Sequence, residues 1–473
     1  MLRLALAFEF RALSRSWIGL LGVFAFIGVG SLTIIAGHHH VTQWQAALVT
    51  ANEAQLESVT EARGYLERGE PGPADRSWVD MSQPLWQDWY AGTRVSRKPT
   101  PLAGIAIGSV DPAPVVFRVN RFANPLSASG YRIENPELAV GMVDLIFVLS
   151  LFTPLLVGLL GLDIGGRERE SHIDRLICIQ AGTIRDWLIA RMIAVTIITG
   201  TATTTLCLAA GITGSAPLGQ IAGLVILALA YTVLWAGILM AVNAHAKTVR
   251  GAAFAFGAVW TVLCVLLPSI AAEFALGHVQ TDYARDETLR ARALQYEAYE
   301  KELPSVLPSF YERYPALQRT PAATAEELDP LVGRHVYDLL VVDAMADRHV
   351  SRLSEESDAR DTAEAAVWGS PAIALTLALE RLAGAGPDAT SAYRKHLVDS
   401  VRSRAMWVTE RAFLQEPLTI DDFDTLVSSA PPPFEVRREG LAGPALALGI
   451  WVLACWFYAV AKLARQERLI LAT

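Results

Sequence analysis

Six runs of about 20 or more mostly apolar residues punctuate this 473-residue chain, at roughly 16–37, 138–162, 187–211, 218–243, 251–274 and 441–463. Runs of that length match the roughly 30 Å hydrocarbon core of a bilayer, where a helix satisfies its own backbone N–H and C=O groups and an open strand does not. The chain is therefore expected to be an all-α polytopic membrane protein with six transmembrane helices. Composition agrees: 52% hydrophobic residues is high for a water-soluble chain, and 19% charged residues is too many for one buried wholly in lipid. The charges concentrate in two polar insertions, 38–137 and 275–440. The other pieces are an N-terminal interfacial helix with the first span (1–37), a block of four spans interrupted by a charged elbow (138–274, elbow 164–186), and the last span with its tail (441–473). The first run has an apolar core longer than the roughly 7–15 residues of a signal peptide, and "IIAGHHH" offers no clean small-x-small cleavage site. An uncleaved anchor is expected.

Lysine and arginine in short connections set orientation. With the N-terminus on the cytoplasmic side, segments 1–15, 164–191, 244–250 and 461–473 carry 13 basic residues, whereas the short loop "GITGSAPLG" on the opposite side carries none. Against seven acids, Asp163 at the elbow's edge included, these segments balance to +6; the rest of the chain carries −14, for a net −8. Both insertions then fall outside the cytoplasm, and their acidity argues against nucleic acid as a partner. Cys178, Cys207, Cys264 and Cys455 all lie outside the insertions, which are expected to fold on ordinary cores without disulfides.

Both insertions read as mainly helical. The first has helical patterns at 41–68 and about 76–91, then "PLAGIAIGSVDPAPVVFRVNRF", whose prolines and glycines break it into short extended segments. The second reads as helices at about 281–303, 324–355, 360–385, 388–414 and 419–428. Within it, "WGSPAIALTLALERLAG" is apolar throughout and is expected to be a core helix of that insertion; the alternative is a short seventh span, against which Glu380, Arg381 and the polar flanks speak.

The elbow carries the strongest local signals. Ser171 with Asp174, and Thr183 with Asp186, each fit the S/T-x-x-D/E capping box. The pattern predicts a short helix over "HIDRLICIQ", a stop at Gly182, and a second helix running into the third span. A nine-residue helix is marginal in water, so its apolar side (Ile173, Leu176, Ile177) needs a cover, either the membrane surface or a protein.

The stretch from Asn135 to Ala194 resembles the permease subunits of ABC-2-type transporters, and within them a bacterial subgroup with large periplasmic insertions that carries a domain of unknown function. Asn135-Pro136 with Asp144 ahead of a Pro154-Leu155 span carries the likeness, together with E-R-E at 168–170 and the helix leading into span three. "GSPAIALTLALERLAG" at 369–384 and "PPPFEV" at 431–436 extend it over most of the chain. One departure stands: the family has Gly-Thr-Leu after E-R-E, this chain Ser171-His172-Ile173. The resemblance implies the bacterial inner membrane, with both termini cytoplasmic. It also implies a coupling elbow (Glu168, Arg169, Glu170, His172, Arg175 and Leu176) that contacts a separate ABC ATPase subunit. Residues 1–15 match a connecting helix on the same surface. A second identical or sister permease, a periplasmic or outer-membrane partner, and membrane lipid complete the implied partners.

No G-x-x-x-x-G-K-[ST] occurs, so ATP and Mg are expected on the partner ATPase, with no catalytic residue and no cofactor in this chain. Asp144 in the second run is the candidate pathway residue, because an ionisable group there is costly; an interfacial position is the alternative. His38, His39 and His40 look like a metal site, yet adjacent residues on a helix do not face one ion. Trp17, Trp44, Trp451 and Trp456 stand at or within span ends, where aromatic belts form. The expected function is a permease subunit of an ATP-driven exporter, coupling the ATPase to substrate movement or to periplasmic work. The alternative is a membrane-anchored envelope sensor or assembly scaffold whose outer helices bind a ligand.

Overall fold

The computed structural model describes residues 2–109, 115–119, 143–173, 176–177, 183–276, 283–324, 328–436 and 440–472. The chain is predominantly helical, with a single two-stranded ribbon among the described residues. Six helices are long and apolar enough to cross a membrane: Trp17–Arg68, Leu145–Glu170, Ile184–Thr213, Leu218–His245, Val249–Phe274 and Ala442–Arg465. They agree with the six apolar runs and differ at particular ends.

Span 1 does not stop at the bilayer. After α1 (Leu2–Arg15), helix α2 (Trp17–Arg68) continues unbroken for 52 residues, about 78 Å at 1.5 Å per residue. No proline and no paired glycines interrupt it, so the polar sequence after His40 simply extends the apolar one. It ends at Gly69, whose left-handed φ of 66° returns N–H bonds to the last turn. Beyond it, α3 (Pro84–Ala91) is shorter than the sequence pattern suggests because Pro84 fixes its first turn. The extended segments become β1 (Arg94–Ser96) and β2 (Val116–Arg118), antiparallel with Val95 opposite Phe117.

Span 2 starts at Leu145, seven residues later than the apolar run, with Asp144 as its N-cap. It comprises α4 (Leu145–Phe147), a π-helical turn (Val148–Phe152) and α5 (Thr153–Gly161). A five-residue helix, α6 (Gly166–Glu170), forms the start of the elbow. Spans 3 and 4 are α7 (Ile184–Thr213) and α8 (Leu218–His245). Span 5 is α9 (Val249–Thr261), a second π turn (Val262–Leu266) and α10 (Leu267–Leu276).

The second insertion is built from α11 (Tyr283–Glu300), α12 (Leu303–Arg313), α13 (Pro321–Thr324), α14 (Pro330–Ala366), α15 (Pro371–Ala383), α16 (Pro387–Leu414) and α17 (Ile420–Ser428). Prolines at the first turns of α14, α15 and α16 set the boundaries, which is why α14 runs through the expected break at 355–360. Span 6 belongs to α18 (Ala442–Ala472). The two insertions meet. Arg404 on α16 pairs with Asp88 on α3 at 2.6 Å, both buried, and the Leu418 N–H bonds to the Ser82 carbonyl at 2.9 Å. Phe434 joins the ribbon by a bridge to Arg97 and packs on Tyr393.

Helix α15 is the main departure from expectation. It is not a core helix of the insertion alone: Ala374, Leu375, Ala378 and Leu379 are buried in one cluster with side chains of spans 2 to 6. It packs on α8, α18 and both π turns. Its N-cap Ser370 donates to the Leu263 carbonyl at 2.7 Å, half-way along span 5, and the Trp451 indole of span 6 donates to the Trp368 carbonyl at 3.1 Å. Its other end lies by the ribbon, where Arg97 donates to the Gly384 carbonyl at 2.7 Å. Thirteen residues reach about 20 Å, too short to cross: the chain is deepest in the bundle at Ser370, and α15 carries it from there back to the ribbon.

Candidate functional site

The end of the bundle opposite the insertions gathers α1, the elbow, the start of α7, the end of α8 and the start of α9. Three consecutive elbow residues tie them together, each in its own direction. Glu168 is buried at 7% exposure. One carboxylate oxygen accepts the Gly165 N–H at 2.7 Å, one half of a capping box that starts α6. The other accepts from Arg191 of α7. Arg169 donates to the carbonyls of Asn243 (2.7 Å) and Ala246, at the C-terminal end of α8, where a cation complements both free carbonyls and the helix dipole. Glu170 accepts the Val249 N–H at 2.9 Å, at the start of α9.

Arg191 is the centre of this arrangement. Its guanidinium is 5% exposed and reaches Glu9 of α1, Glu168 of the elbow and Asp163 (3.6 Å). It also lies over the Phe8 ring at 5.6 Å, and Phe8 in turn sits 5.7 Å from Trp187. Burial raises the pKa of Glu9, and the Arg191 hydrogen bond and charge pull it back down. Asn243 adds a cross-tie, its side-chain amide donating to the Gly161 carbonyl at 3.0 Å. Close approach is required at Gly166, where a Cβ would meet the Val249 backbone at 3.1 Å, and the left-handed φ of 86° at Gly165 turns the chain into α6.

Ser171 ends a helix where the sequence pattern had it starting one. Its hydroxyl bonds back to the Arg167 carbonyl at 2.6 Å, and His172 takes a left-handed φ of 56°. A further turn follows, with the Ile177 N–H bonded to the Ile173 carbonyl at 2.9 Å; most of the expected "HIDRLICIQ" helix, Asp174 and Arg175 included, lies outside the described residues. Thr183 stands at the N-cap position of α7 as the spacing suggests, but the expected capping box does not form: its side chain makes no bond to the helix N–H groups and is hydrogen-bonded to the Asp186 carboxylate instead. The exposed surface is made by Arg167, His172, Ile173 and Leu176 of the elbow, with Lys247 on the α8–α9 connection and Arg250 in the first turn of α9 beside it.

Of the sequence-level candidates, Glu168 and Arg169 thus point their side chains into the bundle, Glu170 lies at the surface with its carboxylate on α9, and His172 and Leu176 face outward. Arg191, Glu9 and Asn243 were not singled out. The signal for Arg191 was a lone arginine at the mouth of an apolar run, which needs a partner. Asp144 caps span 2: its oxygens accept the Phe147 N–H at 2.8 Å and the Gly108 N–H at 3.1 Å, joining the first insertion to the span. His38, His39 and His40 diverge around α2, His39 to Gln43 at 3.0 Å and His40 edge-on to Trp44. Among the described residues no three His, Cys, Asp or Glu side chains converge as a metal site. The chain matches no known family model, no curated protein and no solved structure.

Proposed function

We propose that this chain is the permease subunit of an ATP-driven ABC transporter, an exporter that receives its stroke at the elbow from a separate ATPase holding ATP and Mg. The observation that supports this most is the E-R-E clamp. Glu168, Arg169 and Glu170 bind the elbow to α7, α8 and α9 through a buried ion pair and backbone bonds, and Arg191 carries the tie on to α1 through Glu9. A push on the exposed Ile173 and Leu176 is then transmitted to four helices at once rather than dissipated in a loop. The exposed side offers apolar side chains rimmed by Arg167, Lys247 and Arg250, which suits a partner groove with acidic edges.

The unbroken α2 gives the stroke a path outward. It starts beside α1, crosses as span 1, and packs on α3 and α17 at the far end. That rod supports periplasmic work as an output alongside substrate movement. A second permease copy or a sister subunit would cover span 5, only 11% of which is buried inside this chain against 67% of span 2. The seat of the complex is the bacterial inner membrane, with the termini and elbow cytoplasmic and the insertions periplasmic.

The test is co-purification from the native gene neighbourhood, comparing wild type with the pair Ile173→Asp and Leu176→Asp. The proposal expects a stoichiometric P-loop ATPase with the wild type and its loss from the variant, with membrane insertion unchanged. A wild-type chain that never brings down an ATPase, or a variant that holds it equally well, overturns the reading and favours a sensor or scaffold.

A further inference from the structure

The chain makes a corner where α1 meets span 1. One residue, Ser16, separates the two helices; its backbone is extended, and its hydroxyl caps α2 by accepting the Gly19 N–H at 3.1 Å. Span 1 then opens on Trp17, Ile18, Leu21 and Phe24, with exposures of 77%, 66%, 58% and 70%. In a bilayer, acyl chains cover such an apolar face. Helix α1 therefore sits at the level where the acyl chains end and the head groups begin.

At that level α1 presents one sign of charge. Residues 1–15 carry three arginines and a single acid, Glu9. The fold removes the acid from the surface: Glu9 is 2% exposed and paired with Arg191 of α7. At about 100° per residue, Arg3, Arg11 and Arg15 stand between about 120° and 240° around the helix axis from Glu9. All three are exposed, and none has a partner among the described residues. Phe8, 51% exposed, and Phe10, 40% exposed, flank this basic face on either side. A helix with arginines outward and aromatic rings beside them is suited to lie in the head-group layer. Arg11 and Arg15 are one turn apart, about 6 Å along the axis, and a guanidinium holds a phosphate by two parallel N–H bonds.

We propose that the outward face of α1 is a docking surface for anionic phospholipid, with Arg11 and Arg15 on its phosphate, Arg3 on a neighbouring head group, and Trp17 and Ile18 against the acyl chains. A zwitterionic head brings its own cation to the three arginines, so the net-negative head is preferred. On the opposite side of the same helix, Glu9 holds α1 to Arg191 and through it to the elbow. Anionic lipid thereby seats the helix on which the elbow clamp closes. The proposal needs a bilayer and no ATPase, so it stands or falls independently of that partner.

The full chain, reconstituted alone in phosphatidylcholine nanodiscs, is labelled with a trace of diazirine-bearing phosphatidylglycerol, and the cross-linked peptides are mapped. The expected result is saturable labelling within residues 2–24, displaced by unlabelled phosphatidylglycerol about five-fold or more better than by added phosphatidylcholine. Salt at about 0.5 M should weaken that preference, because the exposed arginines are screened. Arg11→Gln with Arg15→Gln should bring the two lipids level, whereas Arg11→Lys with Arg15→Lys should keep most of the preference; all variants are checked for unchanged thermal unfolding, and Arg11→Gln alone is the fallback if the pair fails to fold. Equal displacement by the two lipids in the wild type, labelling that maps away from α1, or a preference that survives the glutamine pair overturns the proposal. So does a glutamine pair that keeps its lipid preference but loses a co-purifying protein, because the face would then belong to a protein partner.

Discussion

Replacing Arg191 with methionine should be among the most damaging single changes outside the apolar core. Glu9 and Glu168 have side-chain exposures of 2% and 9%, and Arg191 is the cation that both contact; Asp163, at 40%, turns back to water. Removing the guanidinium leaves two buried carboxylates facing each other. Breaking a buried pair in this way costs about 3–5 kcal/mol. Glu168 keeps its Gly165 N–H bond, so the larger share falls on Glu9. The Glu9 pKa is already raised by burial, and losing Arg191 removes the interactions that lower it. A carboxyl raised in the folded state is stabilising below its unfolded pKa and loses that stability as pH rises through the folded value. The Arg191→Met deficit should therefore be smaller near pH 5 than near pH 8. Equilibrium unfolding in mixed SDS–maltoside micelles, followed by far-UV circular dichroism, measures both. The triple variant Arg191→Met, Glu9→Gln, Glu168→Gln should recover most of the loss. A deficit under about 1 kcal/mol that is flat with pH would refute the view that this charge group holds α1 and the elbow to the bundle.

Arg404→Leu should cost about 3–5 kcal/mol and loosen the two insertions, seen as faster proteolysis between α3 and β1, while Arg404→Leu with Asp88→Leu recovers most of it. His349, 2% exposed, has its pKa lowered to about 4 by burial and by Arg394 and Arg352. A lowered histidine leaves the fold intact above its unfolded pKa near 6.5 and destabilises it as pH falls toward 4, by about 3 kcal/mol in all. His349→Leu should flatten that acid limb in a pH-resolved melt. At Gly37 a Cβ would land on the Gly104 carbonyl oxygen, so Gly37→Ala should cost about 1–3 kcal/mol in thermal unfolding. An unchanged melting temperature would mean that the first insertion does not rest on span 1 at that point.

The number of spans was legible because hydrocarbon imposes a length on any helix that crosses it, and six runs of that length are written in the residues. Helix boundaries in the second insertion were half legible. Pro371 and Pro387 mark first turns by local chemistry, yet α14 does not break near residue 355 but continues as one helix to Ala366, and its packing on α10 and α16 is encoded by no local pattern. The apolar stretch of α15 showed only that it needed burial. Insertion core and bundle core look alike to such a helix, and the choice was made by Leu263 and Trp451, distant in sequence, which meet its N-terminal end.

In the elbow, E-R-E was visible as charge without direction. The residues that turn Glu168 and Arg169 inward are Arg191 and Asn243, 23 and 74 positions away, and Arg191 is shared with Glu9, 182 positions before it. The residues alone place these charges where helices leave the membrane. Which of them hold helices together and which stay at the surface depends on the folded arrangement, because a buried carboxylate is tolerated where another element brings a counter-charge or hydrogen-bond donors within reach.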